Sequence, residues 1–246
     1  MSAVARLRDG GAVLATWLSL RDPSLAELLG RAGFEVVLLD LEHGEFGPAA
    51  LPDLVRATVV GGAEPVVRVR LADEIGPALD AGAAGVLVPD VRSATEAAAA
   101  VAAVRYAPEG VRGAAPMVRD AAYGATAFPS HRTARRPLVG VQVEGPAGLA
   151  ALDDVLAVDG LDVVFVGTFD LAQHLGLAGD VGHPDVLAAV RDVVARADAA
   201  GVATGVWAPE VGLARTLGAA GVRLVSCSSA TSLLFGAARA VVDGIR

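Results

Sequence analysis

Two carboxylates close the strand-like segments Leu138-Val139-Gly140-Val141-Gln142-Val143-Glu144 and Val163-Val164-Phe165-Val166-Gly167-Thr168-Phe169-Asp170. Both segments are rich in β-branched and aromatic residues and are bounded by turn formers. Between them, residues 147–158 place Leu149, Leu152 and Leu156 at helical spacing. A strand, helix, strand unit requires a right-handed crossover and a parallel pair, so Glu144 and Asp170 emerge at the same edge of one sheet. Two hard oxygen donors there, with Gln142 just below, suit Mg²⁺ or Mn²⁺, which need no all-protein cage. Such a site would polarise a small oxo-acid. The same pair also suits general acid and base work, and spacing alone does not separate the two uses. Gly167 lets the backbone approach a ligand closely, and N–H groups near Phe169 could receive a carboxylate.

A second constellation is Asp40-Leu41-Glu42-His43. Strand alternation puts Asp40 and Glu42 on one face and turns His43 into the following loop. Imidazole titrates near neutral pH, which makes His43 the candidate general base, oriented by a carboxylate. The plain alternative is a hydrogen-bonded histidine at the rim. Arg68 ends the run Pro65-Val66-Val67-Arg68, where a fixed guanidinium would stabilise an oxyanion beside a metal. Its alternative is a buried salt bridge to Asp40 or Glu144. Trp17 and Trp207 are candidates to wall the pocket or to serve as core. His183 precedes Pro184 at a helix start, and His131 and His174 fall in expected loops. These three histidines are assigned no chemistry.

The elements that position these residues follow a regular rhythm. Strand candidates are Val13–Leu18, Val36–Asp40, Pro65–Arg68, Gly85–Pro89, Leu138–Val143, Val163–Val166, Ala203–Trp207 and Leu224–Ser226, and each is followed by a helical pattern. Proline near helix starts and glycine after helix ends support the boundaries. Eight such alternations in one chain of this length predict a single (β/α)₈ barrel over residues 1–246, with an open doubly wound sheet as the competitor. Charged residues gather just after the strands, as the catalytic face of such a barrel requires. The one irregular stretch, residues 106–136, is expected to be a long loop over the barrel mouth.

Composition narrows the chemistry. All 20 basic residues are Arg, so no lysine can form a Schiff base with substrate or with pyridoxal phosphate. A net charge of −8 without a basic run argues against nucleic acid and anionic membranes as partners. No uncharged apolar run approaches bilayer-spanning length, and the run after Arg8 lacks the features of a cleavable leader. A single cysteine, Cys227, forms no internal disulfide and fits the reducing cytoplasm.

Motifs spread over the chain then resemble a known family. Ala26-Glu27-Leu28-Leu29, Ala32-Gly33-Phe34, Leu38 to His43, Val66-Val67-Arg68, Leu87-Val88-Pro89, Arg105 to Gly113, Gln142-Val143-Glu144 and Gly167 to Leu171 are similar, in order and spacing, to the HpcH/HpaI aldolases. The resemblance implies a (β/α)₈ barrel whose last helix is exchanged between subunits, in a homohexamer built as a trimer of dimers. It implies Glu144 and Asp170 as ligands of Mg²⁺, Mn²⁺ or Co²⁺, with pyruvate or a related 2-oxo acid chelating the ion and an aldehyde as the other partner. Arg68 would neutralise the enolate oxygen. His43, supported by Asp40 and by Asp80 of a neighbouring subunit, would move the proton of the aldol hydroxyl. Gln142 would hold water on the metal, Gly167 and Phe169 would offer N–H groups to the carboxylate, and Trp207 would line the aldehyde site. Relatives on this barrel also condense oxo-acids with acyl-CoA, for which Arg132, Arg135 and Arg136 are the available phosphate contacts. Thr168-Phe169, Leu171-Ala172 and Ser226 to Ala230 depart from the family pattern, and the bulk of Phe169 and Trp207 bears on the acceptor.

Overall fold

The computed structural model describes residues 1–134 and 136–246; Arg135 lies outside them. The chain begins with α1 (Ala3–Arg8), β1 (Val13–Leu18), α2 (Pro23–Arg31), β2 (Val36–Asp40), α3 (Leu51–Gly61), β3 (Glu64–Arg68) and α4 (Ile75–Asp80). It continues through β4 (Gly85–Val88), α5 (Ala94–Val104), α6 (Phe128–Ala134), β5 (Leu138–Val143), α7 (Pro146–Ala150) and α8 (Leu152–Leu156). Last come β6 (Val163–Val166), α9 (Thr168–His174), α10 (Pro184–Ala199), β7 (Ala203–Ala208), α11 (Val211–Ala219), β8 (Leu224–Ser229) and α12 (Ala230–Ile245). The strands close, all parallel, into a barrel in the order β1 to β8, with β1 paired to β8. The expected (β/α)₈ fold is therefore the observed one, and four strands keep the bounds read from sequence.

Strand alternation divides the core into two layers. Ala15, Trp17, Leu38, Val66, Leu87, Leu138, Phe165 and Leu224 fill the barrel, while the residues between them pack outward against the helices. The ring of Phe165 takes the space opposite Gly205, where a Cβ would come within 2.5 Å of Cδ2. Helix α1 covers the end at which the strands begin. Its Val4 and Leu7 join the interior cluster, and Arg8 makes two 2.8 Å bonds to the buried Asp162.

Three readings of the sequence need correction. The segment closing on Asp170 is not strand throughout: β6 stops at Val166, Gly167 turns the chain, and Asp170 sits in the first turn of α9. The single helix expected over residues 146–157 is interrupted at Ala151 into α7 and α8. The stretch of residues 106–136 does not cover the barrel mouth of its own chain. It links the end of α5 to the start of β5, so it lies where strands begin. There Arg112 bonds Asp80 at the end of α4 (2.9 Å), and Arg119 bonds the Ala81 carbonyl (3.2 Å). The sequence alternation already puts this stretch after a helix and before the fifth strand, and a helix-to-strand connection lies where strands begin, so the expectation of a cover over the mouth fails on the topology itself.

Helix α12 stands apart. Every residue after Ala230 is exposed, including Phe235 at 70% and Ile245 at 82%. A helix that leaves its apolar residues in water is not stabilised by its own barrel. Beside its first turn, an apolar groove of about 520 Å³ runs between Leu14, Phe34, Val211, Ala214, Val225 and Leu233. Among the described residues no helix is long and apolar enough to cross a membrane.

Candidate active site

At the end of the barrel where the strands finish, a cavity of about 540 Å³ opens among Trp17, Asp40, His43, Arg68, Gln142, Gly167, Phe169, Asp170 and Trp207. Phe165, Thr168, Ser19 and Ser229 complete its lining. Nine of the residues singled out from sequence thus converge, although they come from five strands and from the two segments that follow β2 and β6. Glu144 borders them, its carboxylate hydrogen-bonded by the Gln142 amide.

Glu144 follows β5 directly, where the strand hands the chain to α7. Burial pushes its carboxyl above the ordinary range; the Gln142 amide opposes this, while the negative charges of Asp170, Glu42 and Asp90 add to it. Gathering carboxylates around a half-buried site carries an electrostatic cost that a bound cation would offset. The donor set is hard oxygen throughout, as Mg²⁺ and Mn²⁺ prefer. Gln142 provides a second sign: its Nε2 faces Glu144 while its Oε1 is buried with no hydrogen-bond partner among the described residues, an unspent acceptor on a residue that lines the cavity. Gly167 provides a third. A Cβ there would lie 2.5 Å from Glu144 Cβ and Oε2, so the backbone is drawn tight behind the carboxylate. The residues present fit a divalent ion that completes its shell with water and substrate.

Arg68, at the end of β3, is nearly buried and rigidly held. Its Nε and Nη2 bond the two oxygens of Asp40 at 2.8 and 2.7 Å, Nη1 lies 3.2 Å from Glu42, and the guanidinium carbon stands 4.4 Å from the Trp17 ring centroid. The salt bridge to Asp40 is therefore present. It does not exhaust the group, because three of its five N–H donors meet carboxylates and two remain. Trp17 in turn meets Phe165 edge to face at 5.9 Å.

The role expected of Asp40 changes. Its carboxylate is committed to Arg68 and to the backbone N–H groups of Glu42 (3.1 Å) and His43 (3.3 Å). It shapes the turn that presents His43 but does not bond the imidazole. The ring is 70% exposed at the rim, and its nearest carboxylate is Glu42, 3.8 Å from Nε2. Glu42 is thus a site residue whose importance the sequence reading understated. Its carboxyl is raised mainly by burial, against the lowering by Arg68. Strand spacing did put it on the face of Asp40; its contact with β3 could come only from the fold.

Two further expectations shift. The Gly167 N–H is spent on the Val143 carbonyl at 3.1 Å, so it is not available to a substrate carboxylate. The first-turn N–H groups of α9, at Thr168, Phe169 and Asp170, have no intrahelical acceptor. Asp80 does not enter this cavity: it ends α4 at the opposite end of the barrel, paired with Arg112. Trp207 does enter it, and is fixed by its indole N–H to the Ser228 carbonyl (3.2 Å) and by Thr168 bonding its own carbonyl (3.0 Å).

A sequence model of the HpcH/HpaI aldolase/citrate lyase family matches residues 14–236. The chain is 40% identical over 232 residues to a hydroxypyruvate/pyruvate aldolase of Pseudomonas aeruginosa, covering 93% of this chain and 87% of that one. A crystal structure of an HpcH/HpaI aldolase/citrate lyase family protein from Burkholderia cenocepacia J2315 superposes with a TM-score of 0.91 at 38% identity, over 99% of this chain and 98% of that one. The citrate synthase SbnG superposes with a TM-score of 0.84 at 26% identity, over 99% and 97%.

Proposed function

Because the chain belongs to the HpcH/HpaI aldolase/citrate lyase family, we propose that it is a divalent-metal-dependent aldolase. It reversibly cleaves a 4-hydroxy-2-oxo acid into pyruvate, or a related 2-oxo acid, and an aldehyde. The observation that carries this reading is the unspent Gln142 Oε1 beside two mutually repelling carboxylates, with Arg68 across the same cavity. The relatives named hydroxypyruvate/pyruvate aldolase support the donor class.

Glu144 and Asp170 would hold the cation, which when bound would supply Lewis-acid polarisation of the keto oxygen and a template for the 2-oxo acid. The chain's own residues do the rest. Arg68, immobilised by Asp40 and Trp17, offers its two remaining donors to the oxygen on which enolate charge develops, without reorganising as the charge appears. First-turn N–H groups of α9 receive the substrate carboxylate. His43, at the rim, takes the aldol hydroxyl proton during cleavage and returns it during condensation. Asp80 would support it only from a neighbouring subunit. Trp207 and Phe169 bound the aldehyde space.

Proton exchange of pyruvate in deuterated buffer tests the assignment without knowledge of the aldehyde. The methyl signal is expected to decay with enzyme plus Mn²⁺ or Mg²⁺, and to persist after chelation. Persistence with every divalent metal tried would refute pyruvate as donor. The acyl-CoA reading draws support from the likeness to SbnG. Against it, Arg132 and Arg136, two of the three proposed phosphate contacts, lie at the other end of the barrel from this chain's cavity.

We also propose a homo-oligomer, a hexamer as a trimer of dimers, in which α12 seats in the apolar groove of a neighbouring subunit. The exposed leucines and phenylalanine of α12 and the open groove beside Leu14 support this. Phe235→Asp is expected to shift sedimentation from hexamer toward smaller species; an unchanged distribution would exclude the exchange. The buried, unpaired Cys227 supports placement in a reducing compartment such as the cytoplasm.

A further inference from the structure

A second cavity, of about 330 Å³, lies at the end of the barrel opposite the active site, between the end of α5, α6 and the start of β5. Arg105, Arg112, Arg132 and Arg136 all line it, against one carboxylate, Glu109. Among the described residues, four of the eleven that line it are thus arginines. Arg112 belongs to a buried network: its Nη2 bonds Asp80 at 2.9 Å and Asp120 at 3.1 Å, its guanidinium covers the Tyr106 ring, and His131 meets Asp120 at 3.2 Å. Its side chain is only 2% exposed, yet its Nε has no hydrogen-bond partner among the described residues.

The other three guanidiniums are only loosely compensated. Arg105 has Asp159 at 3.4 Å, and that carboxylate is 98% exposed. Arg132 has Glu109 at 3.5 Å, 60% exposed. Arg136 has Asp162 at 3.4 Å, already held bidentately by Arg8. The pairs to Asp159 and Glu109, with their exposed carboxylates, contribute little and leave the Arg105 and Arg132 charges available, while Arg136 shares Asp162 with Arg8. Guanidinium forks match phosphate and carboxylate oxygens, and Val104, Pro137 and Val139 provide an apolar wall for a carbon skeleton. The volume is at the low end for ligand sites.

We infer that this cavity binds a small oxyanionic metabolite carrying a phosphate or several carboxylates. Within one chain this cavity is distinct from the one lined by Asp170 and bordered by Glu144, although Arg112 bonds Asp80, the residue proposed to reach the His43 of a neighbouring subunit. Titration calorimetry of the full chain, free of divalent metal, with inorganic phosphate in one series and citrate in another, tests it. One saturable site per chain is expected for at least one probe, persisting in Glu144→Gln and weakened about tenfold or more in Arg105→Gln/Arg132→Gln. Binding of phosphate alone assigns a phosphate ester, and binding of citrate alone a polycarboxylate. Absence of saturable binding for both probes, or undiminished binding in the double variant, overturns the inference. Should that variant not fold, phenylglyoxal modification of the unaltered chain decides: the binding anion must protect Arg105 and Arg132, and equal modification with and without it overturns the proposal.

Discussion

Glu144→Gln is expected to lower metal-dependent turnover by about three orders of magnitude while leaving the barrel folded. The substitution removes one of two anionic donors and keeps size and hydrogen-bonding capacity. Lewis-acid polarisation of a keto oxygen is worth several kcal/mol, and about 1.4 kcal/mol corresponds to tenfold in rate. Stability moves the other way from activity. Glu144 carries a carboxyl whose ionisation is opposed by burial and by Asp170, Glu42 and Asp90, so neutralising it relieves repulsion in the metal-free protein. The expected result is thus weaker Mn²⁺ binding, lost turnover, and a metal-free melting temperature that holds or rises. Turnover and metal affinity at the parent level in this variant would remove Glu144 from the ligand set, whatever the fold.

Arg68→Ala is the second large effect, and it has two separable parts. Loss of a preorganised donor to developing negative charge is expected to cost about 10²- to 10³-fold in kcat/KM. Loss of the partner of Asp40, which is only 4% exposed, leaves a buried carboxylate with two backbone N–H bonds and no counter-ion. Breaking a buried pair on one side costs about 3–5 kcal/mol. Denaturant unfolding and steady-state kinetics on Arg68→Ala and on Arg68→Ala/Asp40→Asn distinguish the two. The second substitution removes the stranded charge, so stability should recover in part while turnover stays low. Turnover that recovers together with stability would make Arg68 a structural residue only.

These expectations rest on a site that was partly legible before the fold was known. Glu144, Asp170, Arg68 and His43 were visible because each follows an apolar strand run, and parallel connections carry all strand ends to one face. That argument needs only the alternation of elements. It also put Gln142 just below Glu144, and of the two salt bridges offered as the alternative for Arg68, to Asp40 or to Glu144, the one to Asp40, its register partner across β2 and β3, is present. Gly167 illustrates its limit: the residue was singled out for close backbone approach, which holds, but its N–H is consumed by β5.

By itself the sequence determined the barrel, its strand order and the end at which its chemistry gathers. It also excluded Schiff-base catalysis, because a chain without lysine has no amine side chain to offer. The tertiary structure decided the rest. Asp40 was turned from the imidazole to the guanidinium, Glu42 was brought beside Arg68, and Asp80 was paired with Arg112. The physical reason is one of range. Periodicity reports the face and the end of an element, which are local properties. Partner choice among several carboxylates and arginines depends on distances set only when the strands close.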